Sequence, residues 1–273
     1  MNLLRSRVAG REAVARCEGY AEAAVQRQDE AVSLPVSSLV SVIIPTLNEA
    51  RALGSTLDAL AALPGPLELI VVDGGSFDRT TAIARARRVR VLLANRGRGQ
   101  QLHVGACAAR GDVLWFVHAD THPPPAATAA IRQALDNAAV VGGNFAVSFD
   151  GTGRPARFMT WLYPRLRKLG LCYGDATLFV RRSAYEEVGG FRPYPLFEDV
   201  DLIERLRRRG RFVHLPAIAR TSSRRFEGRS FTITFVWWIV LQVLYWFGVP
   251  PRLLGRLYAP IRTRPRRRRS RAG

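Results

Sequence analysis

Residues 113–122 read VLWFVHADTH. Five apolar residues run into a polar step, and His118 and His122 flank Asp120 at even spacing. A strand buried on both faces of a parallel sheet is a continuous apolar run. In open α/β sheets, ligands collect beyond the carboxyl ends of such strands. The stretch therefore predicts Asp120 at the lip of a crevice, where a carboxylate can hold a divalent cation. An Asp that only opens a turn before Pro123, Pro124 and Pro125 has the same local signature, so the neighbouring segments decide.

Upstream, residues 39–44 form a short β-branched run that stops at Pro45, followed by Thr46-Leu47-Asn48-Glu49 at the strand's exit. Apolar residues at 53, 57, 60 and 63 have helical spacing, and Pro64, Gly65 and Pro66 end that helix. A second apolar strand over 67–72 runs into Asp73-Gly74-Gly75-Ser76-Phe77-Asp78, a carboxylate followed by two glycines that suits a tight turn against a base or ribose. A third strand is expected over 89–93 and a helix over 100–110. Between them, the basic NRGRGQQ of 95–101 lacks the Gly-Lys-Ser/Thr ending of a phosphate-binding P-loop. This alternation predicts an α/β domain with a mostly parallel sheet.

Downstream, a helix is expected over 126–138 and a strand over 140–149. Residues 151–171, basic and aromatic, are expected to be a mobile flap. Asp175 precedes another strand. In the segment 195–202, PLFEDVDL, three carboxylates crowd the first turn of a helix, where its dipole favours negative charge. A last strand over 211–215 is followed by ARTSSRR at 219–225, whose paired arginines suit a diphosphate.

The net charge is +19, almost all of it arginine, and seven arginines lie between 262 and 271. Such a charge favours anionic partners, nucleotide phosphates or lipid headgroups among them; scattered arginines ending in a tail argue against a nucleic-acid role. Cys17, Cys107 and Cys172 are far apart and odd in number, which suggests a reducing compartment and no zinc site. No signal-peptide core is found near residue 1, so a cytoplasmic protein is expected. Residues 231–249 carry no formal charge and are rich in Trp and Tyr. An interfacial helix, a bilayer span and a helix packed within the protein all stay open.

Taken together, VSVIIPTLNEA, IVVDGGSFDRT, FVHADT, YGDATLFVRR and FEDVDL resemble the family 2 glycosyltransferases of the GT-A fold over residues 40–225. With GRGQQL and SSRRF, the match looks like a bacterial subgroup called rSAM/selenodomain-associated transferase 2. The substrates ascribed to that subgroup disagree, so the resemblance implies only the reaction type. It implies a nucleoside diphosphate sugar pocket lined by Pro45, Thr46, Asn48, Glu49, Asp73 and Asp78. In that pocket Glu49 approaches the ribose and Asp73 the base. Asp120 becomes the second acid of an Asp-x-Asp holding Mg²⁺ or Mn²⁺, with His118 in the first acid's place. That departure leaves room for a metal-independent variant; His122 and His214 are alternative extra ligands. Asp199, beside Glu198, becomes the general base of an inverting displacement. Arg98, Arg224 and Arg225 stabilise the leaving diphosphate, and Asp175 with Gly174 orients the hydroxyl acceptor, a small molecule or a lipid or carotenoid-like one at an anionic membrane surface.

The implied organisation is an N-terminal extension over 1–38, partly helical or disordered, a GT-A domain over 39–228, an apolar membrane-associating helix region over 229–260 and a basic disordered tail over 261–273. A nucleotidyltransferase would place its glycine-rich basic loop directly after the first strand, where this chain has PTLNEA. A non-catalytic, membrane-associated nucleotide-sugar-binding protein of the same fold is the remaining alternative.

Overall fold

The structure is a computed structural model that describes residues 38–168, 177–224 and 231–262. The expected N-terminal extension and basic tail, with Cys17, Gly174, Asp175, Cys172 and Arg225, lie outside the described residues.

An eight-stranded sheet has the order β3-β2-β1-β4-β7-β6-β8-β5. Its first half is a parallel α/β unit. Strands β1 (Val40–Thr46), β2 (Leu67–Asp73), β3 (Arg90–Leu93) and β4 (Val113–Phe116) alternate with helices α1 (Leu53–Ala61), α2 (Thr80–Ala86) and α3 (Arg98–Ala108). Val40, Val42, Ile43, Ile44, Ile70, Val71, Leu114 and Trp115 are buried on both sides of this sheet, as their unbroken apolar runs require. Register pairs Thr46 with Asp73 and Asp73 with Leu93, so β1, β2 and β3 end at one edge.

The second half departs from the expected mostly parallel sheet. β7 (Leu178–Arg181) runs antiparallel to both β4 and β6 (Val140–Phe149), β8 (Arg211–Thr221) is parallel to β6, and the two-residue β5 (Thr121–His122) closes antiparallel on β8. The sheet is mixed. β8 also runs six residues past its expected end at 215, because a register irregularity opposite Phe145 and Ala146 absorbs Pro216 and lets pairing resume.

Helices α4 (Ala127–Leu135), α5 (Arg154–Lys168), α6 (Arg182–Glu187) and α7 (Glu198–Arg207) follow, then a helical hairpin, α8 (Phe231–Trp246) and α9 (Pro251–Arg262). One correction follows. Most of the expected flap is α5, seated on β6: Ala156 and Met159 are buried, Thr160 Oγ1 accepts the amide of Phe149, and Phe149 meets Tyr163 edge-on at 5.0 Å. Among the described residues no helix is long and apolar enough to cross a membrane, because Gly248 and Pro250 break the 231–249 stretch after α8. Cys107 is disulfide-bonded.

Candidate functional site

The site is built at the shared edge of β1, β2 and β4. Asp73, the last residue of β2, is turned back into its own loop. It accepts hydrogen bonds from Thr46 Oγ1 (3.1 Å), the amides of Gly75 (3.0 Å) and Ser76 (2.8 Å), and Ser76 Oγ (2.5 Å). Asp78 accepts from the amide and hydroxyl of Thr80 at the start of α2 and from the amide of Ala50 (3.2 Å); these bonds hold its carboxyl below the usual range even against desolvation. Asn48 sits at φ 58°, a left-handed conformation that Asn tolerates, and its Oδ1 accepts the Phe77 amide while its own amide donates to Ser76 Oγ. The β1–α1 and β2–α2 loops are thus latched together, and Asp78 and Asn48 are spent largely on that latch. Pro45 and Thr46 lie within the paired end of β1.

Across this pocket one guanidinium spans two carboxylates. Arg224 Nη2 donates to Glu49 Oε2 at 2.7 Å and to Asp120 Oδ2 at 3.0 Å. Burial pushes Glu49 up, and the hydrogen bond and charge of Arg224 oppose that rise. The same two acids push Arg224 further up, against its own desolvation. Asp120 follows β4 by four residues, and its carbonyl accepts the amide of Ser222 at the end of β8 (3.2 Å). The backbone of β8 therefore carries Arg224 to the crevice.

A second acidic centre is gathered at the first turn of α3. Gln101, buried in α3, donates through Nε2 to the carbonyls of Thr46 and Val72, both at 2.8 Å, which lays the first turn of α3 over the ends of β1 and β2. From that turn Arg98 reaches Glu198 through Nε and Asp199 Oδ2 through Nη2 at 3.3 Å. Glu198 and Asp199 are 1% and 6% exposed. Burial pushes the Glu198 carboxyl up, with Arg98 opposing it. Gly99 makes the approach possible, since a Cβ there would lie 2.8 Å from the Arg192 carbonyl and 3.2 Å from Glu198 Cβ. The third acid of this turn, Asp201, belongs to the scaffold: it pairs with Arg192 (2.9 Å) and Arg205 (2.6 Å).

The expected site residues therefore fall into two clusters: Glu49 and Asp120 with Arg224, and Glu198 and Asp199 with Arg98. Arg98, expected at the diphosphate, instead engages the acids of α7. His214 donates from Nδ1 to Asn144 Oδ1 at 2.7 Å, and desolvation, with Arg167 and Arg207 nearby, lowers it to about 4. Sequence reading assigned Gln101 no role, although the quoted GRGQQL contains it, and did not foretell the double bridge of Arg224.

The profile of glycosyl transferase family 2 matches residues 41–189. The chain belongs to this family. It is 35% identical over 96 residues to a glucosyl-3-phosphoglycerate synthase of Mycolicibacterium paratuberculosis, covering 31% of this chain and 29% of that one. It is 30% identical over 193 residues to the probable glycosyltransferase YdaM of Bacillus subtilis, covering 61% of this chain and 46% of the relative. The chain thus spans a third to a half of the length of these relatives. Its GT-A fold is shared with a mannosyltransferase of Pyrobaculum calidifontis solved with GDP-Man and Mn²⁺, at TM-score 0.54 and 19% identity over 78% of this chain and 67% of that one. A glucosyl-3-phosphoglycerate synthase of Mycobacterium tuberculosis, solved with Mn²⁺, UDP-Glc and phosphoglyceric acid, superposes at TM-score 0.52 with 22% identity, over 71% and 76% of the two chains.

Proposed function

We propose that this family 2 member transfers a sugar from a nucleoside diphosphate sugar to an acceptor hydroxyl by a single inverting displacement. The observation that carries the reading is the pair of acidic centres at one sheet edge, each under its own arginine. The resemblance to the rSAM/selenodomain-associated subgroup, over motifs that include both centres, agrees with it.

On this reading Thr46, Asn48 and Glu49, with Asp73, line the base and ribose, and the fixed loops around Asp73 keep that wall in place before ligand arrives. Asp120 would be the protein's oxygen ligand to Mg²⁺ or Mn²⁺. The fit rests on chemistry: Asp120 and Glu49 present carboxylate oxygens to one positive charge, that of Arg224, and hard cations prefer such oxygens. Among the described residues no group of three or more metal-ligating side chains gathers, so Asp120 would hold the cation with little other help from protein side chains. The cation, when bound, neutralises charge on the departing diphosphate. Arg224 then shares that anion instead of the two acids, and Arg225 beside it is placed in sequence to do the same.

At the other centre the acceptor oxygen attacks the anomeric carbon as the carbon–diphosphate bond breaks, and the hydroxyl proton passes to Asp199. Arg98 holds Asp199 by Oδ2, and the amide of Val200 donates to Oδ1 at 2.8 Å, so the base is aimed before the acceptor enters. Glu198 anchors Arg98. Asp175 and Gly174 complete the acceptor side. The acceptor itself is a lipid-borne or small hydroxyl compound at the cytoplasmic face of a membrane.

The test is a thermal-shift panel of nucleoside diphosphate sugars, with and without Mn²⁺, on the intact chain and on Asp120→Ala. Stabilisation by one donor that requires metal and disappears in the variant is expected. No stabilisation by any donor with metal present contradicts the reading. Stabilisation without metal makes His118 the mark of a metal-independent site.

A further inference from the structure

Helix α8 is apolar on both sides. Trp237, Leu241, Leu244 and Tyr245 face inward and join Phe197, Leu196 and Val200 in a small separate core, with Leu254 of α9 fully buried beneath them. On the opposite side Ile233, Val236, Val240, Val243 and Phe247 are exposed, at steps of three and four residues that form one continuous stripe. Phe247 is 83% exposed. Leu253 and Leu257 of α9 extend the stripe, and Phe158 and Trp161 of α5 adjoin it, since Phe158 meets Phe231 and Phe235 edge-on at 5.9 and 5.5 Å. An exposed apolar surface spread over three helices marks an interaction site.

The charged side chains carried by these three helices are all basic. Arg252 and Arg256 stand exposed beside Leu253 and Leu257, Arg154, Arg157 and Arg165 are exposed on α5, and the Arg165 guanidinium lies 3.8 Å over the Trp161 ring. No Asp or Glu occurs in 154–168 or after Glu227. A second copy of this chain would set arginine border against arginine border across a two-fold axis. An anionic bilayer meets both halves of the pattern, with acyl chains for the stripe and headgroups for the arginines. The 16 residues of α8 span about 24 Å, short of a hydrocarbon core of about 30 Å, so the helix lies in the plane rather than across it.

We infer that α5, α8 and α9 form a face that seats in the surface of an anionic lipid bilayer. The face is joined directly to the general base. Phe197, the residue before Glu198, packs on Tyr245 with ring centroids 4.8 Å apart and planes tilted by 37°, and α9 presses so closely on the preceding loop that a Cβ at Gly255 would lie 2.3 Å from Pro195 Cγ. Seating therefore puts Asp199 next to the headgroup layer, where a lipid-borne hydroxyl is presented; this last clause rests on the function proposed above, and the membrane seating does not.

The experiment is co-sedimentation of the intact chain with vesicles of phosphatidylcholine alone and of phosphatidylcholine with phosphatidylglycerol, at low and high salt. It is run beside Val236→Glu/Val240→Glu and Arg252→Ser/Arg256→Ser, with melting temperature and light-scattering mass recorded for each. The inference predicts salt-sensitive binding to the anionic vesicles that weakens at least tenfold in the first variant and several-fold in the second, with fold and mass unchanged. Absence of binding to anionic vesicles overturns it. So does a mass that halves in the Val236→Glu/Val240→Glu chain while vesicle binding persists, which would assign the stripe to a second copy. Donor stabilisation in the thermal-shift panel is read independently, so a chain that binds donor but no vesicle loses this inference and keeps the function.

Discussion

The proposed donor side and the proposed acceptor side of this molecule both hold carboxylates at a crevice, by different means. On the donor side, strand ends and loop hydrogen bonds place Asp73 with supporting residues that are consecutive or one βα unit apart, while Arg224, at the end of a distant strand, bridges Glu49 and Asp120. On the acceptor side, Glu198 and Asp199 ride on a helix whose start is fixed by apolar packing of Phe197 on a hairpin some fifty residues later, and by an arginine a hundred residues earlier. Backbone ladders make the first arrangement rigid in itself. The second is only as firm as the packing behind it, which is where an external surface could act on catalysis.

The contrast can be broken by substitution, the largest effect coming at the base. Asp199→Asn keeps the shape and removes the proton acceptor, so turnover falls about 10²–10⁴-fold in a steady-state assay, while donor affinity stays unchanged. Asp120→Ala does the reverse: metal-dependent donor affinity drops at least tenfold, or about 1.4 kcal/mol, in calorimetric titration. Phe197→Ala sharpens the comparison, because it leaves every polar group in place. It costs roughly 3 kcal/mol of stability by denaturant titration and lowers turnover more than donor affinity.

The smallest effect is a pH signature. Burial raises the folded-state pKa of Glu198 above its ordinary 4.5, so its contribution to stability is fully present below that value and is lost as pH rises through the raised one. The melting temperature of the wild type minus that of Glu198→Gln therefore grows more positive as pH falls from neutral towards 4.5. A flat difference would mean that Arg98 fully offsets the burial.

The same contrast decides what was legible in the sequence. β1, β2 and β4 show as apolar runs because both faces of the sheet are covered, and Asp73 and Asp120 stand out because each interrupts such a run. The long-range partnerships of both sides leave no local trace. Nothing around Arg98 points to Glu198, and nothing around Arg224 points to Glu49, 175 residues away. Helix α5 was obscured because Pro164 and its arginines break the expected pattern, while Phe158 and Trp161, its most conspicuous apolar residues, face outward. Helix α8 was ambiguous for a physical reason: apolar on both faces, it has no periodicity to report which side meets protein.

The most direct test of two separable acidic centres is calorimetric titration of one nucleoside diphosphate, with Mn²⁺ present, into the wild type, Asp120→Ala and Asp199→Asn. The account predicts wild-type affinity in Asp199→Asn and at least a tenfold loss in Asp120→Ala. Equal affinity in all three, or an equal loss in both variants, would contradict it.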